Sequence, residues 1–455
     1  MASTGAPSQG GPSFGWVEFS EAALQRLRRE LEEKGQGVVD EMGVLSIHSG
    51  YADYFFPGTS VLQTRPRYLF FVCWNLLWLA GQRGTTATNL ARRKDEAELW
   101  VTSRLAARID RLASTAGAGR MGGVIGIRVY REQTPRVPAQ TIDFIYWTAL
   151  RRWGFYSSQQ AEERGRLFRR WKGTAITRIG AGGDQSGDDV IADEPLASLN
   201  VPPVPAGWQS DDTYELDFEL TEAEARLLQE HLMAVPPVKE GACLIAKAAE
   251  LCEAQGPVED TGDDSLLRPW DDPLLLEAAR LTGLEATLER ARKASNFVHY
   301  VRAVYAALVE WVFERSTSPP REYPQRSYRV HLGELAGNSQ MRQAAIELEL
   351  KDLYADVPRV PELLRKCLAH VRAGLVRVSA GEDAEQVFMN DVTHRVFEAV
   401  ERRRKGGRAR LSLTEQGAGR RVGFSHNTIG VYDLDYRWRV IRNLLSDLHR
   451  GLARP

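Results

Sequence analysis

The sequence predicts a mainly α-helical protein with a few short strands, an α+β chain of two or three domains. The length of 455 residues is one reason, because a single hydrophobic core usually serves about 100 to 200 residues. Composition indicates that most of the chain folds, since 43% apolar and 26% charged residues are close to the averages of globular proteins. The second reason is the spacing of apolar residues, which follows the helical period in most long segments and alternates in only a few short ones.

The first part of the chain is predicted to be a disordered tail followed by an N-terminal helical or α+β domain. Residues 1–15 are rich in Gly, Ser, Pro and Ala, so we expect them to be disordered. They also lack the features of a signal peptide. The domain covers residues 16–180. Its predicted strands are 14–19 and 124–130, and its predicted helices are 21–34, 68–80, 88–113 and 141–154. The apolar helix at 68–80 is interpreted as a core helix, because a membrane span needs about 20 residues.

An acidic stretch is predicted to separate this domain from the rest of the chain. Twelve acidic residues, several prolines and no lysine or arginine lie between residues 184 and 224. Such a stretch repels itself and resists packing. Residues 181–220 are therefore predicted to be a linker or a surface loop.

The remaining residues, 221–455, are predicted to form a C-terminal helical domain. Its first helix begins at a capping box formed by Thr221 and Glu224, and another begins at Asp272 followed by a proline. Further helices are predicted over 284–315, 339–353, 360–373, 383–404 and 436–450. A small hairpin is predicted near 406–434, with short strands at 409–413 and 428–434.

The sequence lacks the motifs of common hydrolases and nucleotide-binding proteins. It has no phosphate-binding loop G-x-x-x-x-G-K-[ST], no H-x-K triplet of phospholipase-D-type nucleases and no G-x-S-x-G elbow. Residues 117–122 fit G-x-G-x-x-G, but the predicted helix precedes them and the strand follows, the reverse of a dinucleotide site. The histidines form no metal-binding pair, and the widely spaced cysteines are typical of buried thiols. We therefore expect no cofactor and no metal.

Two local concentrations of positive charge stand out against a formal net charge of -1. The first in importance is the C-terminal basic segment, residues 402–421, which has one acidic residue, Glu415. Its basic residues are Arg402, Arg403, Arg404, Lys405, Arg408, Arg410, Arg420 and Arg421. Arginines on a glycine-rich hairpin could follow a phosphate backbone, with each contact releasing counterions. A solvated helix end with its loop explains the same composition, and the sequence leaves both interpretations open.

The N-terminal basic segment, residues 151–178, interleaves basic and aromatic residues. Its candidate nucleic-acid-binding residues are Arg169, Arg170 and Trp171, because bases stack on aromatic rings while arginines contact phosphates. The competing interpretation is an amphipathic helix that docks through Leu167, Phe168 and Trp171.

Two arginines precede the predicted core helix. Arg65 and Arg67 lie where positive charge opposes the helix dipole, so a role other than helix stability is expected. A phosphate or a buried carboxylate such as Asp53 could be the partner, and we favour the internal salt bridge.

Four segments together resemble one family. They are FGWVEFS at 14–20, FPGTSVLQTRPRYLFF at 56–71, IYWTALRRWG at 145–154 and YRWRVI at 436–441. The sequence is similar to an uncharacterised bacterial family, a domain of unknown function found in phage-defence islands, as in the Azaca-type defence system. The resemblance implies helicase and phospholipase-D-like proteins encoded nearby as partners. It implies no catalytic residue, because the family has none assigned.

We expect a cytoplasmic component of a multi-gene antiphage defence system, non-catalytic, without membrane contact, that binds DNA or RNA or acts as an adaptor. The alternative is a nuclease or other hydrolase whose site is assembled from dispersed residues such as Asp53, Glu96, His299 or His394. A third possibility is a helical scaffold without affinity for nucleic acid.

Overall fold

The computed structural model describes residues 40–112, 122–158, 164–171, 176–179, 197–239, 241–258, 268–316, 328–424 and 433–454. Its buried apolar side chains form one connected cluster that runs from Met42 to Leu452. The predicted disordered tail and the strand and helix predicted over 14–34 lie outside the described residues. The division into domains stays a prediction.

The N-terminal part contains six helices and three short strands among its described residues. They are α1 (Leu45–Phe55), α2 (Tyr68–Gly81), α3 (Ala87–Leu112), α4 (Ile127–Tyr130), α5 (Ile142–Arg152), β1 (Tyr156–Ser157), α6 (Arg164–Arg169), β2 (Ile176–Arg178) and β3 (Ala197–Leu199). The helices predicted at 68–80, 88–113 and 141–154 are confirmed as α2, α3 and α5. Most of α2 is buried, because its sequence is apolar on every side and its neighbours α3 and α5 cover it.

The three strands form one small sheet in the order β1-β3-β2. Tyr156 pairs with Leu199 in the antiparallel ladder, and Ile176 pairs with Ala197 in the parallel one. The strand predicted at 124–130 is wrong, since α4 occupies its second half. Gly123 and Gly126 both adopt a positive φ, of 90° and 79°, which bends the chain into a turn instead of extending it.

The structure describes the second half of the predicted linker or loop. Residues 181–196 lie outside the described residues, whereas 197–220 contain only the short strand β3 as regular structure and pack against the core as a loop. Trp208, Phe218 and Leu220 are buried, and the Trp208 indole N–H donates to Asn75 Oδ1 at 3.0 Å. Acidic side chains on this stretch pair with arginines instead of repelling one another, as Asp217 does with Arg67.

The regular elements of the C-terminal part are all helices within its described residues. Its elements are α7 (Glu222–Met233), α8 (Leu244–Leu251), α9 (Pro273–Thr282), α10 (Glu285–Ser316), α11 (Tyr328–Gly337), α12 (Ser339–Glu347), α13 (Leu350–Asp356), α14 (Glu362–Ser379), α15 (Ala384–Phe388), α16 (Asp391–Lys405), a 3₁₀ turn (Gly406–Arg408), α17 (Glu415–Val422) and α18 (Trp438–Leu452). The long helix α10 lies at the centre and contacts α9, α11, α12, α13, α14 and α17.

Local capping signals in this part are confirmed. Thr221 and Glu224 form the predicted capping box, and Asp272 caps the helix that begins at Pro273. The helix predicted over 383–404 is divided into α15 and α16. The division occurs because Asn390 accepts the N–H groups of Val392 and Thr393 and starts a new helix.

The predicted hairpin near 406–434 is wrong for its described residues. Residues 409–413 form a turn, and a helix, α17, follows directly. The backbone groups of this loop are satisfied by charged side chains instead of a partner strand, since Glu401 accepts from the N–H groups of Arg410 and Leu411. Most of the second predicted strand, at 428–434, lies outside the described residues.

The structure also bears on the predicted state of the cysteines and on membrane-spanning helices. Cys73, Cys243, Cys252 and Cys367 are all buried and free, as predicted. Among the described helices, none combines the length and apolarity that a bilayer crossing requires.

Candidate nucleic-acid interface

The end of α16 displays part of the C-terminal basic segment on the surface. Phe397 and Val400 bury one face of the helix, which directs Arg402 and Arg403 to solvent on the other. Cations in the last turn also interact favourably with the negative end of the helix dipole. Helix stability therefore accounts for part of this charge, and the interface must be judged from the surrounding geometry.

Three basic side chains of the segment are held by acidic residues near the start of the described chain. Arg404 Nη2 lies 3.3 Å from Asp40 Oδ2, while Lys405 and Arg410 both contact the buried carboxylate of Glu41. Burial, together with the nearby charges of Arg410 and Arg420, lowers the pKa of Lys405 to about 7. These three residues are anchored within the fold.

Two buried charged residues, Glu401 and Arg421, hold the loop that carries Arg410 from its interior side. Glu401 is fully buried and accepts from the N–H groups of Arg410 and Leu411 at 2.8 and 2.9 Å. Arg421, only 1% exposed, donates through Nη1 to the carbonyl oxygens of Arg410 and Ser412 at 2.6 and 2.7 Å. Buried charges are costly unless they are well paired, and here the hydrogen bonds that pair them also hold the backbone of the loop.

Helix α17 lies close against the same loop because of a glycine. A Cβ atom at Gly417 would be 2.5 Å from the carbonyl oxygens of Ala409 and Ser412. Any residue with a side chain would therefore have to displace the backbone at this position. This close approach brings Arg420, on the helix, beside Arg410, on the loop. The Arg410 Nε–H donates to the Arg420 carbonyl oxygen at 3.3 Å.

The loop, the 3₁₀ turn and α17 line a cavity of about 540 Å³ that is open to solvent, which we name the arginine pocket. It is lined by Arg408, Arg410, Gln416, Gly419, Arg420 and Gly423. Side chains added at Gly419 or Gly423 would meet no atom within 4 Å, so these glycines leave the space open. Three arginine residues therefore line one cavity, and none of its lining residues within the described chain is acidic.

Some arginines of the segment have no partner among the described residues. Within the part of the chain that the structure describes, the side chains of Arg403, Arg408 and Arg420 make no hydrogen bond or ion pair, and all three are exposed. Arg402 has only a 3.7 Å contact with Glu398. Arg408 and Arg420 thus bring uncompensated positive charge to the arginine pocket.

Arg421 does not belong to the surface that the sequence predicted. Its side chain is buried beneath the loop and bonds to backbone carbonyl groups, so it cannot contact a ligand in this conformation. Of the eight predicted residues in the segment, Arg421 is a structural support, and Arg404, Lys405 and Arg410 are partly neutralised.

The N-terminal basic segment is arranged differently. Trp171 is only 3% exposed, and its ring packs edge-on against Phe168, with ring centroids 6.3 Å apart. In this conformation the Trp171 ring is not accessible to a base, which favours the interpretation as a docked amphipathic segment. Arg169 and Arg170 are exposed beside it.

A buried polar cluster in this region was missed by sequence reasoning. Lys94 Nζ lies 2.9 Å from Asp143 Oδ1, and Arg164 Nε lies 2.7 Å from Asp143 Oδ2. Burial raises the pKa of Glu98, which also faces this cluster, to about 8. The cavity beside these residues is about 10 Å³, room for no more than one water molecule, so the cluster is a structural network and not a substrate site.

The arginines that precede α2 form internal salt bridges, as predicted, but not with Asp53. Arg65 Nε lies 2.7 Å from Asp447 Oδ2 on α18, and Arg67 pairs with Asp217 and Glu224. Asp53 pairs instead with Arg437 at 2.7 Å.

The dispersed residues of the alternative hydrolase have separate partners. Glu96 pairs with Arg92, His299 with Asp433, and His394 with the carbonyl oxygen of Leu411. Among the described residues, no group of three or more His, Cys, Asp or Glu side chains is arranged to hold a metal ion.

These features define a helical protein with a cationic surface pocket whose loop is held by buried charged residues. The model of a family described as a family of unknown function (DUF6361) matches residues 13–154. That range contains three of the four segments that carried the resemblance, whereas 436–441 and the arginine pocket lie outside it. Searches of curated proteins and of solved structures gave no match.

Proposed function

We propose that this protein is a non-catalytic nucleic-acid-binding or adaptor subunit, and that it contacts phosphate groups through the arginine pocket and the neighbouring exposed arginines. The observation that carries the proposal is that Arg408, Arg410 and Arg420 line one open cavity, with no acidic residue among its described lining residues. Arginine guanidinium groups bind phosphate oxygens through paired hydrogen bonds, and phosphate contacts supply most of the affinity of non-specific nucleic-acid binding.

The exposed arginines next to the pocket extend the same surface. Arg402 and Arg403 on α16 and Arg408 on the 3₁₀ turn follow one another along the chain with their side chains in solvent. A polyanion could therefore contact several of them in succession. A surface of this kind recognises the backbone and not the base sequence, so we expect weak sequence preference.

The wider role that we propose is that of a component of a multi-gene antiphage defence system acting in the cytoplasm. The resemblance of the four segments supports this role, and it points to a helicase and a phospholipase-D-like protein as partners. The catalytic steps would then belong to the partners. This gene expressed by itself should give no protection against phage, whereas the complete gene cluster should, and full protection by the single gene would contradict the proposal.

A binding assay on the purified protein tests the biochemical part. Labelled single- and double-stranded DNA and RNA would be titrated with the protein, with and without Mg²⁺, while the integrity of each strand is followed on a gel. We expect binding without cleavage, weakened steeply by salt. Cleavage in the presence of Mg²⁺ would favour the hydrolase alternative, and absence of binding to all four substrates would contradict nucleic-acid recognition.

A further inference from the structure

We infer that the arginine pocket is a site for a terminal phosphate monoester of a nucleic-acid strand, in addition to the internal phosphates that the exposed arginines contact. This inference rests on the proposed function and deepens it, since it names the chemical group that the pocket takes.

The first argument is the shape of the site. An internal phosphodiester is connected to the strand on both sides, so it is contacted most easily by a flat or convex surface such as the outer face of α16. A terminal phosphate is connected on one side only and can enter a cavity. The volume of about 540 Å³ falls within the range of roughly 300–1,000 Å³ that is typical of small-ligand sites, enough for a phosphate with its first nucleotide.

The second argument is the charge of the site. Glu41 pairs with Arg410, which leaves Arg408 and Arg420 as the lining arginines without an acidic partner among the described residues. A phosphate monoester carries a charge of about -1.5 to -2 at neutral pH, whereas an internal phosphodiester carries about -1. Two free guanidinium groups therefore match the terminal group better than the internal one.

The third argument is preorganisation. Arg410 is held by Glu41, by the carbonyl oxygen of Arg420 and by the ring of Phe424, whose centroid lies 4.9 Å from its guanidinium carbon. Buried Glu401 and Arg421 fix the loop beneath it. A rigid wall lowers the entropic cost of binding a small group, and a non-specific surface along a mobile backbone would not need such support.

The experiment compares one short single strand in three forms, with a 5′-phosphate, with a 3′-phosphate or with hydroxyl groups at both ends. Affinity of the full-length protein for each is measured by fluorescence anisotropy. We expect one phosphorylated form to bind at least about tenfold more tightly than the hydroxyl form, the value of one charge-assisted hydrogen bond. The two phosphorylated arms decide which end is recognised.

Three variants assign the effect to the pocket. Arg408→Gln and Arg420→Gln should each abolish the preference, whereas Arg403→Gln, an exposed arginine of α16 outside the lining, should weaken all three forms equally and keep it. Equal affinity for the three forms in the wild-type protein would overturn the inference and leave the proposed function standing. A preference that survives in both pocket variants would also overturn it. No binding of any form would overturn the proposed function itself.

Discussion

The N-terminal and C-terminal basic segments resemble each other in composition and differ in what the fold does with their charges. In the N-terminal segment, Arg164 reaches inward to the buried carboxylate of Asp143 and lies over the ring of Phe168. In the C-terminal segment, the inward positions are taken by Glu401 and Arg421, and Arg408 and Arg420 are left in solvent around a cavity. The comparison shows that arginines of a basic segment stay exposed where other residues make the buried contacts of that part of the fold.

The largest expected effect tests the burial of Trp171. Trp171→Ala should lower the free energy of unfolding by roughly 3–5 kcal/mol, because it removes a buried ring and leaves a cavity. Chemical denaturation measures this loss, with Arg169→Ala as a neighbouring control that should change stability by less than about 0.5 kcal/mol. Nucleic-acid affinity, measured well below the melting temperature, should be unchanged. A stable Trp171 variant with lost affinity would restore the stacking interpretation.

The next effect concerns binding. Simultaneous Arg403→Glu, Arg408→Glu and Arg420→Glu replacement should weaken nucleic-acid binding by about 100-fold or more, since three contacts become repulsive, and should hardly alter melting, because exposed arginines contribute little to stability. Arg151→Glu with Arg169→Glu reverses exposed charge in the N-terminal segment and serves as the control. Similar losses from both sets would mean that overall charge, and not the arginine pocket, governs binding.

A matched pair of single substitutions measures the two structural roles directly. Arg164→Ala should cost about 1–3 kcal/mol of stability, because Asp143 is buried and loses a charged hydrogen-bond donor. Arg408→Ala should cost no more than about 0.5 kcal/mol, since its side chain is exposed. Thermal or denaturant unfolding of both variants under one set of conditions gives the comparison. Equal costs would show that the two segments are not distinct in this respect.

Features that depend on neighbouring residues could be predicted from the sequence. The apolar run at 68–80 and the periodic segment at 88–113 became α2 and α3, and the Thr221 capping box formed as expected. Helical spacing of Leu167, Phe168 and Trp171 also indicated the docked helix. In each case the signal lies within one or two turns of the chain.

The basic residues of the arginine pocket could be predicted from the sequence, but their arrangement around a cavity could not. Glu41 lies 369 positions from Arg410, and no local pattern indicates that it would contact this residue. The hairpin prediction failed for the same kind of reason, because buried Glu401 and Arg421 satisfy the backbone of the loop that was expected to pair as a strand. Tertiary contacts decide which charges of a basic segment remain available, and spacing alone does not report them.

The salt dependence of single-strand binding tests the central claim most directly. Affinity would be measured over a range of salt concentrations for the wild-type protein, for Arg408→Gln with Arg420→Gln, and for Arg151→Gln with Arg169→Gln. Each lost phosphate contact should make the logarithmic slope shallower by about 0.7, so the pocket variant should have a clearly flatter slope and the N-terminal variant the wild-type slope. A flatter slope in the N-terminal variant together with an unchanged slope in the pocket variant would contradict the account.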